Sequence, residues 1–113
     1  MVTAAKRAGG ATRIKVGLGQ MNTGSDKQAN LAEAERLVGE LADRGAELIM
    51  LPEHFNFLGE ERQKRPSAEP LEQSVSLERM RRAAERYGIY LHIGSFFELD
   101  RDRVYNTGVV FDP

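Results

Sequence analysis

Polar and apolar positions alternate early in the chain. In "RIKVGLGQ", Ile14, Val16 and Leu18 interleave with Lys15 and Gly17, and a period of two predicts a strand with one apolar face. "MNTGSD" then supplies turn residues, with Ser25 or Asp26 placed to cap the helix that follows. Over residues 27–44, Leu31, Ala34, Leu37, Val38 and Leu41 fall on one helical stripe, and Glu33, Glu35, Arg36, Glu40 and Asp43 take the other faces. Gly45 suits the left-handed residue that closes such a helix. The unbroken run "LIML" fits a fully buried strand of a parallel sheet.

Residues 60–75, "EERQKRPSAEPLEQSV", are polar, carry two prolines and show no period. They read as a surface loop with room for a short helical turn. A second helix is predicted over residues 77–87, with Leu77, Met80, Ala83, Ala84 and Tyr87 inward and Gly88 closing it. "IYLHIGSFFE" and "VYNTGVVF", joined by the charged "LDRDR", form a hairpin. The order strand, helix, strand, loop, helix, strand, strand predicts an α/β layer architecture, with parallel strands first and an antiparallel pair last. The last strand runs directly into "FDP", so it is expected to be an exposed edge or the front of a longer sheet.

With 113 residues, one domain is the expectation: a frayed tail over residues 1–13 and a domain over 14–113. Sixteen Lys and Arg face seventeen Asp and Glu, for a net charge of -1. That balance gives no electrostatic case for nucleic acid or an anionic membrane. No apolar run is long enough for a membrane span. The basic, small-residue "MVTAAKRAGGATR" has no apolar h-region for secretion, though it weakly resembles an organelle transit peptide. A cytoplasmic location is expected. The chain has no cysteine, which excludes disulfides, thiolate metal sites and a thiol nucleophile within these residues.

Glu53, in "LIMLPEHFNFLG", is the first candidate for chemistry. In open α/β sheets, ligands and catalytic groups gather beyond the carboxyl ends of the strands, and Glu53 stands two residues past one. Phe55, Phe57 and Leu58 are placed to exclude water, which would raise the carboxyl pKa toward a general base. The plainer alternative is that Pro52 ends the strand and Glu53 points to solvent. Gly17 and Gly19 suggest a dinucleotide-binding turn, but the third glycine of that motif falls on Asn22. His54 and His92 have no partner at a metal-ligand spacing, so packed or surface histidines are expected. The "RMRR" run with Arg86 reads as the solvated face of the second helix. No cofactor and no metal is expected.

Taken together, "VGLGQMNTG", the helix leading into "LPEHFNFLG", "AAERYGIYLHIGSFFE" and "VYNTGVVFDP" resemble the nitrilase (carbon–nitrogen hydrolase) superfamily. In order and spacing they are similar to the front of an amidase-type member, nearest to small amidases of deaminated glutathione and other ω-amides. The resemblance implies a four-layer α-β-β-α sandwich, of which this chain would supply a part, and homo-oligomers formed through helical faces. It implies a small-molecule amide or nitrile as substrate, attacked by a cysteine thiolate to give a thioester that water hydrolyses. A lysine would stabilise developing charge, and the matching position for the general base is Glu53. Phe55 and Phe57 become candidates for the substrate pocket. The family's lysine and cysteine positions both lie past "VVFDP", so this chain would carry one of the three catalytic residues and be inactive alone. The alternatives are a short binding or assembly module derived from that fold, or a separate nucleotide-binding domain, which the glycine spacing disfavours.

Overall fold

The computed structural model describes residues 12–113, so residues 1–11 of the expected tail lie outside the described range. Four strands form one sheet in the order β1 (Val16–Leu18), β2 (Leu48–Leu51), β3 (Tyr90–Asp100), β4 (Arg103–Phe111). The first two pairings are parallel and the last is antiparallel, as the element order predicts. Helix α1 (Lys27–Asp43) joins β1 to β2. Between β2 and β3 come α2 (Glu61–Ser67), a 3₁₀ turn (Leu71–Gln73) and α3 (Val75–Tyr87). Residues 60–75, read as a loop, therefore hold a seven-residue helix, but it buries no residue and contains Pro66. A helix with no buried stripe leaves no period to read.

Both long helices form where the apolar stripes lie. Asp26 caps α1 by accepting from the Ala29 N–H at 3.1 Å, and Ser74 caps α3 by accepting from Leu77 at 3.0 Å. Gly45 (φ 89°) and Gly88 (φ 62°) end them in the left-handed region. Successive strands step the same way across the sheet, so two right-handed crossovers place α1 and α3 on the same face. There Leu31, Ala34 and Val38 meet Leu77, Met80 and Ala84 over Ile49, Leu51, Leu91, Ile93 and Phe96. The "RMRR" run is only partly a solvated face. Arg79 crosses to α1, pairing with Glu35 and donating to Gln28 at 3.0 Å, while Arg81 and Arg82 stay exposed beside Glu78.

Strand β1 turns its glycine, not its apolar residues, toward the helices. Gly17 is buried, whereas Val16 and Leu18 are exposed on the opposite face. The cause is close approach: a Cβ at Gly17 would lie 3.1 Å from Cβ of both Leu41 and Ala46, and one at Gly19 would lie 2.8 Å from Leu51 Cδ2. These glycines serve helix–sheet packing, which accounts for their failure to fit a dinucleotide turn. Among the described residues, no helix covers the face that Val16 and Leu18 share with Tyr90 and Val110.

Strand β3 is interrupted by a bulge. Ile93 pairs with Val109 and Phe96 with Thr107, so β3 spends three steps where β4 spends two. Ser95 and Phe96 are consequently buried in succession. Among the described residues no helix is long and apolar enough to cross a membrane.

Candidate active site

The segment after β2 is held at nearly every residue. Pro52 ends the strand, and its carbonyl accepts from Ser95 N–H at 3.1 Å. His54 turns the chain with φ 53°, a conformation uncommon for a residue with a side chain, and its N–H reaches Ser95 Oγ at 3.4 Å. Phe55 N–H donates to Ser95 carbonyl at 3.0 Å and Leu58 N–H to Gly24 carbonyl at 3.0 Å. Asn30, buried on α1, donates through Nδ2 to the carbonyls of Gly24 (2.8 Å) and Asn56 (2.9 Å). The bulge in β3 is what brings Ser95 into register with this loop, since both its N–H and its carbonyl serve the loop rather than a strand.

Glu53 stands at the carboxyl end of β2, where the sequence places it, and its Oε1 lies 3.0 Å from His54 Nε2. The expected shielding by its apolar neighbours is absent among the described residues: the Glu53 side chain is 64% exposed. The reversal at His54 explains this, because it sends Phe55 into the core and leaves Glu53 outside it. Phe55 is fully buried in the main apolar cluster. Phe57 is also buried but borders a cavity of about 330 Å³, together with His54, Lys64, Phe97 and Asn106. Of the two phenylalanines assigned to a pocket, only Phe57 touches one near Glu53. The His54 ring packs on Phe97 at 4.5 Å between centroids, and Lys64 Nζ lies 5.4 Å from the same ring. Ser95 Oγ hydrogen-bonds Asn106 Oδ1 across the hairpin. His92 lies apart, in mid-strand, with Nδ1 buried and without a hydrogen-bond partner among the described residues. A larger cavity of about 650 Å³ lies between the start of α3 and β4 and contains neither Glu53 nor His54.

A second carboxylate, missed in the sequence, is more deeply set. Glu69 is 9% exposed, between α2 and the 3₁₀ turn. Its backbone pairs with β3: its N–H donates to Phe97 carbonyl at 3.0 Å, and its carbonyl accepts from Leu99 at 2.9 Å. Its carboxylate accepts from Ser74 Oγ (2.9 Å), Ser76 N–H (3.0 Å), Ser76 Oγ and Asn56 Nδ2 (3.0 Å), and it pairs with Lys27 Nζ at 3.1 Å. Burial pushes the Glu69 carboxyl up, but the Ser76 N–H and hydroxyl and the Lys27 ammonium outweigh it and hold the group below the usual carboxylate range. Asn56 also donates to Ser76 Oγ at 2.9 Å, while its Oδ1 is buried without a partner among the described residues. Turning the amide over would set oxygen against the carboxylate, so Glu69 fixes its orientation. Local sequence gives no signal for this cluster beyond two serines at a helix start; the topology assembles it.

Comparisons with known proteins fall on this frame. The carbon-nitrogen hydrolase family matches residues 15–113. Omega-amidase NIT2 of Xenopus tropicalis is 35% identical over 107 residues, covering 89% of this chain and 36% of the relative. Hydrolase C26A3.11 of Schizosaccharomyces pombe is 37% identical over 101 residues, covering 88% of this chain and 31% of the relative. The crystal structure of Saccharomyces cerevisiae Nit3, a member of branch 10 of the nitrilase superfamily, superimposes with a TM-score of 0.79 at 33% identity, over 88% of this chain and 40% of that one. The four-strand sheet and its helices define a mixed α/β layer structure like that of this nitrilase-superfamily neighbour. The chain belongs to the carbon-nitrogen hydrolase family. It spans about a third of the length of the relatives it matches in sequence.

Proposed function

We propose that this chain supplies the general base of an amidase that cleaves the C–N bond of small carboxamides, with Glu53 as that base. The observation that carries the reading is the placement of Glu53: a carboxylate just past the carboxyl end of a parallel strand, on a loop hydrogen-bonded at almost every residue, in a chain of this family. The omega-amidase relatives favour an ω-amide as substrate.

In the proposed reaction a cysteine thiol gives its proton to Glu53 as the sulfur attacks the amide carbon, and Glu53 passes that proton to the nitrogen, which leaves as ammonia. Water, deprotonated by Glu53, then hydrolyses the thioester, and a lysine stabilises charge on the substrate oxygen. These 113 residues hold no cysteine, so the thiol and the lysine would come from residues outside them. The His54 imidazole lies 3.0 Å from the Glu53 carboxylate and itself lines the cavity that Phe57 borders.

The test is a chimaera in which residues 15–113 replace the matching segment of the Xenopus tropicalis omega-amidase. It is expected to release ammonia from small ω-amides, and Glu53→Gln to lower that rate about 10³-fold. A folded chimaera whose rate ignores Glu53→Gln would overturn the reading. The 113-residue chain alone is expected to show no turnover. A second reading, a binding or assembly module built on the same fold, is favoured by the lack of a nucleophile and by the open apolar sheet face. It predicts a folded but inactive chimaera.

A further inference from the structure

Three segments meet at one buried carboxylate, and a fourth holds the backbone that carries it. Lys27 begins α1, Asn56 lies in the loop that carries Glu53, Ser74 and Ser76 open α3, and the backbone of Glu69 itself is paired to β3 at Phe97 and Leu99. A carboxylate accepts up to four or so hydrogen bonds, and Glu69 uses that capacity on four donors and an ammonium. Nothing about helix or sheet formation requires this. Ser74 could cap α3 unaided, and the core packs elsewhere.

The contacts instead converge on the site. Asn56 is three residues from Glu53 and is held by Glu69 through its side chain and by Asn30 through its carbonyl. Phe97, whose carbonyl accepts from Glu69 N–H, presents the ring on which His54 packs, and His54 in turn contacts Glu53. Glu69 thus grips the Glu53 loop through its carboxylate on Asn56, while its main chain pairs with Phe97, the residue that carries the ring platform. We propose that Glu69 is a positioning residue: its ionised carboxylate sets the place of the loop that carries Glu53 and His54. The proposal rests on the reading of Glu53 as the base only for its consequence in catalysis; the positioning itself is a property of this chain.

The experiment compares Glu69→Gln with Ile49→Val, a core variant that loosens the fold without touching the network. Amide exchange at Phe55 and Leu58 is expected to accelerate at least about tenfold in Glu69→Gln, relative to Leu91 and Ile93 in the same molecule. Ile49→Val should leave that ratio unchanged. The His54 ring protons, displaced by the Phe97 ring current, should move toward their free-imidazole positions only in Glu69→Gln. Asn56→Ala cuts the carboxylate's arm to the loop alone, and it should reproduce the selective exchange even if Glu69→Gln does not fold. Uniform acceleration across loop and core in the variants that fold, or His54 shifts equal to those of Ile49→Val, would overturn the proposal. Failure of Glu53→Gln to affect the chimaera would sink the catalytic reading while leaving this result standing.

Discussion

Glu69→Ala strips an acceptor from Asn56, Ser74, Ser76 and Lys27 at once, leaving buried donors unpaired. Breaking a buried charged contact by removing one partner costs about 3–5 kcal/mol, so urea unfolding should show one of the largest single-residue losses in the chain. Lys27→Met removes only the cation, which is a quarter exposed, and should cost less. The acid limb follows from the direction of the Glu69 shift. Its folded pKa lies below its ordinary value of 4.5, so its contribution is fully present above that pH and is lost as pH falls through the lower folded value. A stability profile between pH 6 and 3 should therefore steepen below about pH 4.5 in the native chain and flatten in Glu69→Gln. Glu53 was legible in the sequence because Pro52 and the apolar run mark a strand end. Glu69 was not, because its partners lie 42 positions before it to 7 after it, and no window along the chain displays a site assembled by the crossovers.

The two long helices were readable because each buries a stripe with a 3.6-residue period and each carries a capping residue and a closing glycine. Asp26→Ala should lower stability by about 1 kcal/mol through loss of the α1 cap, measurable by thermal or urea unfolding. Gly17→Ala should cost more, about 1–3 kcal/mol, because its new methyl meets Leu41 and Ala46 at 3.1 Å and α1 must move outward. Strand β1 shows where pattern reading misleads. The alternation correctly gave a strand, but the side facing the helices was the glycine side. Apolar character marks the wrong face when a helix approaches too closely for any side chain. Helix α2 was legible only as a short helical turn within a loop, because it has no buried residue to set a period.

For the molecule as a whole, the order β1-β2-β3-β4 with both crossovers on one side yields two layers and an open sheet face. On it Leu18 is 72% exposed, with Val16, Tyr90 and Val110 around it. Exposed contiguous apolar surface drives association, so the 113-residue chain should bind a hydrophobic dye and sediment above its monomer mass. Leu18→Lys should reduce both; a monomeric, dye-silent native chain would contradict this expectation. The four-layer sandwich implied by resemblance places a second sheet against such a face.

The bulge in β3 has a consequence for protein engineering. Phe96 fills the core while Phe97, the next residue, forms the platform under His54, and the extra step at Gly94 and Ser95 turns Ser95 to the Glu53 loop without changing the face of either ring. Deleting one residue there restores a regular ladder in which Ile93 and Phe96, now two positions apart, still share the core face, so both arms of the hairpin keep their sides. The loss falls on the loop: the Ser95 N–H and carbonyl would return to the ladder and release Pro52 and Phe55, so a single-codon deletion would free the Glu53 segment while leaving both rings in place.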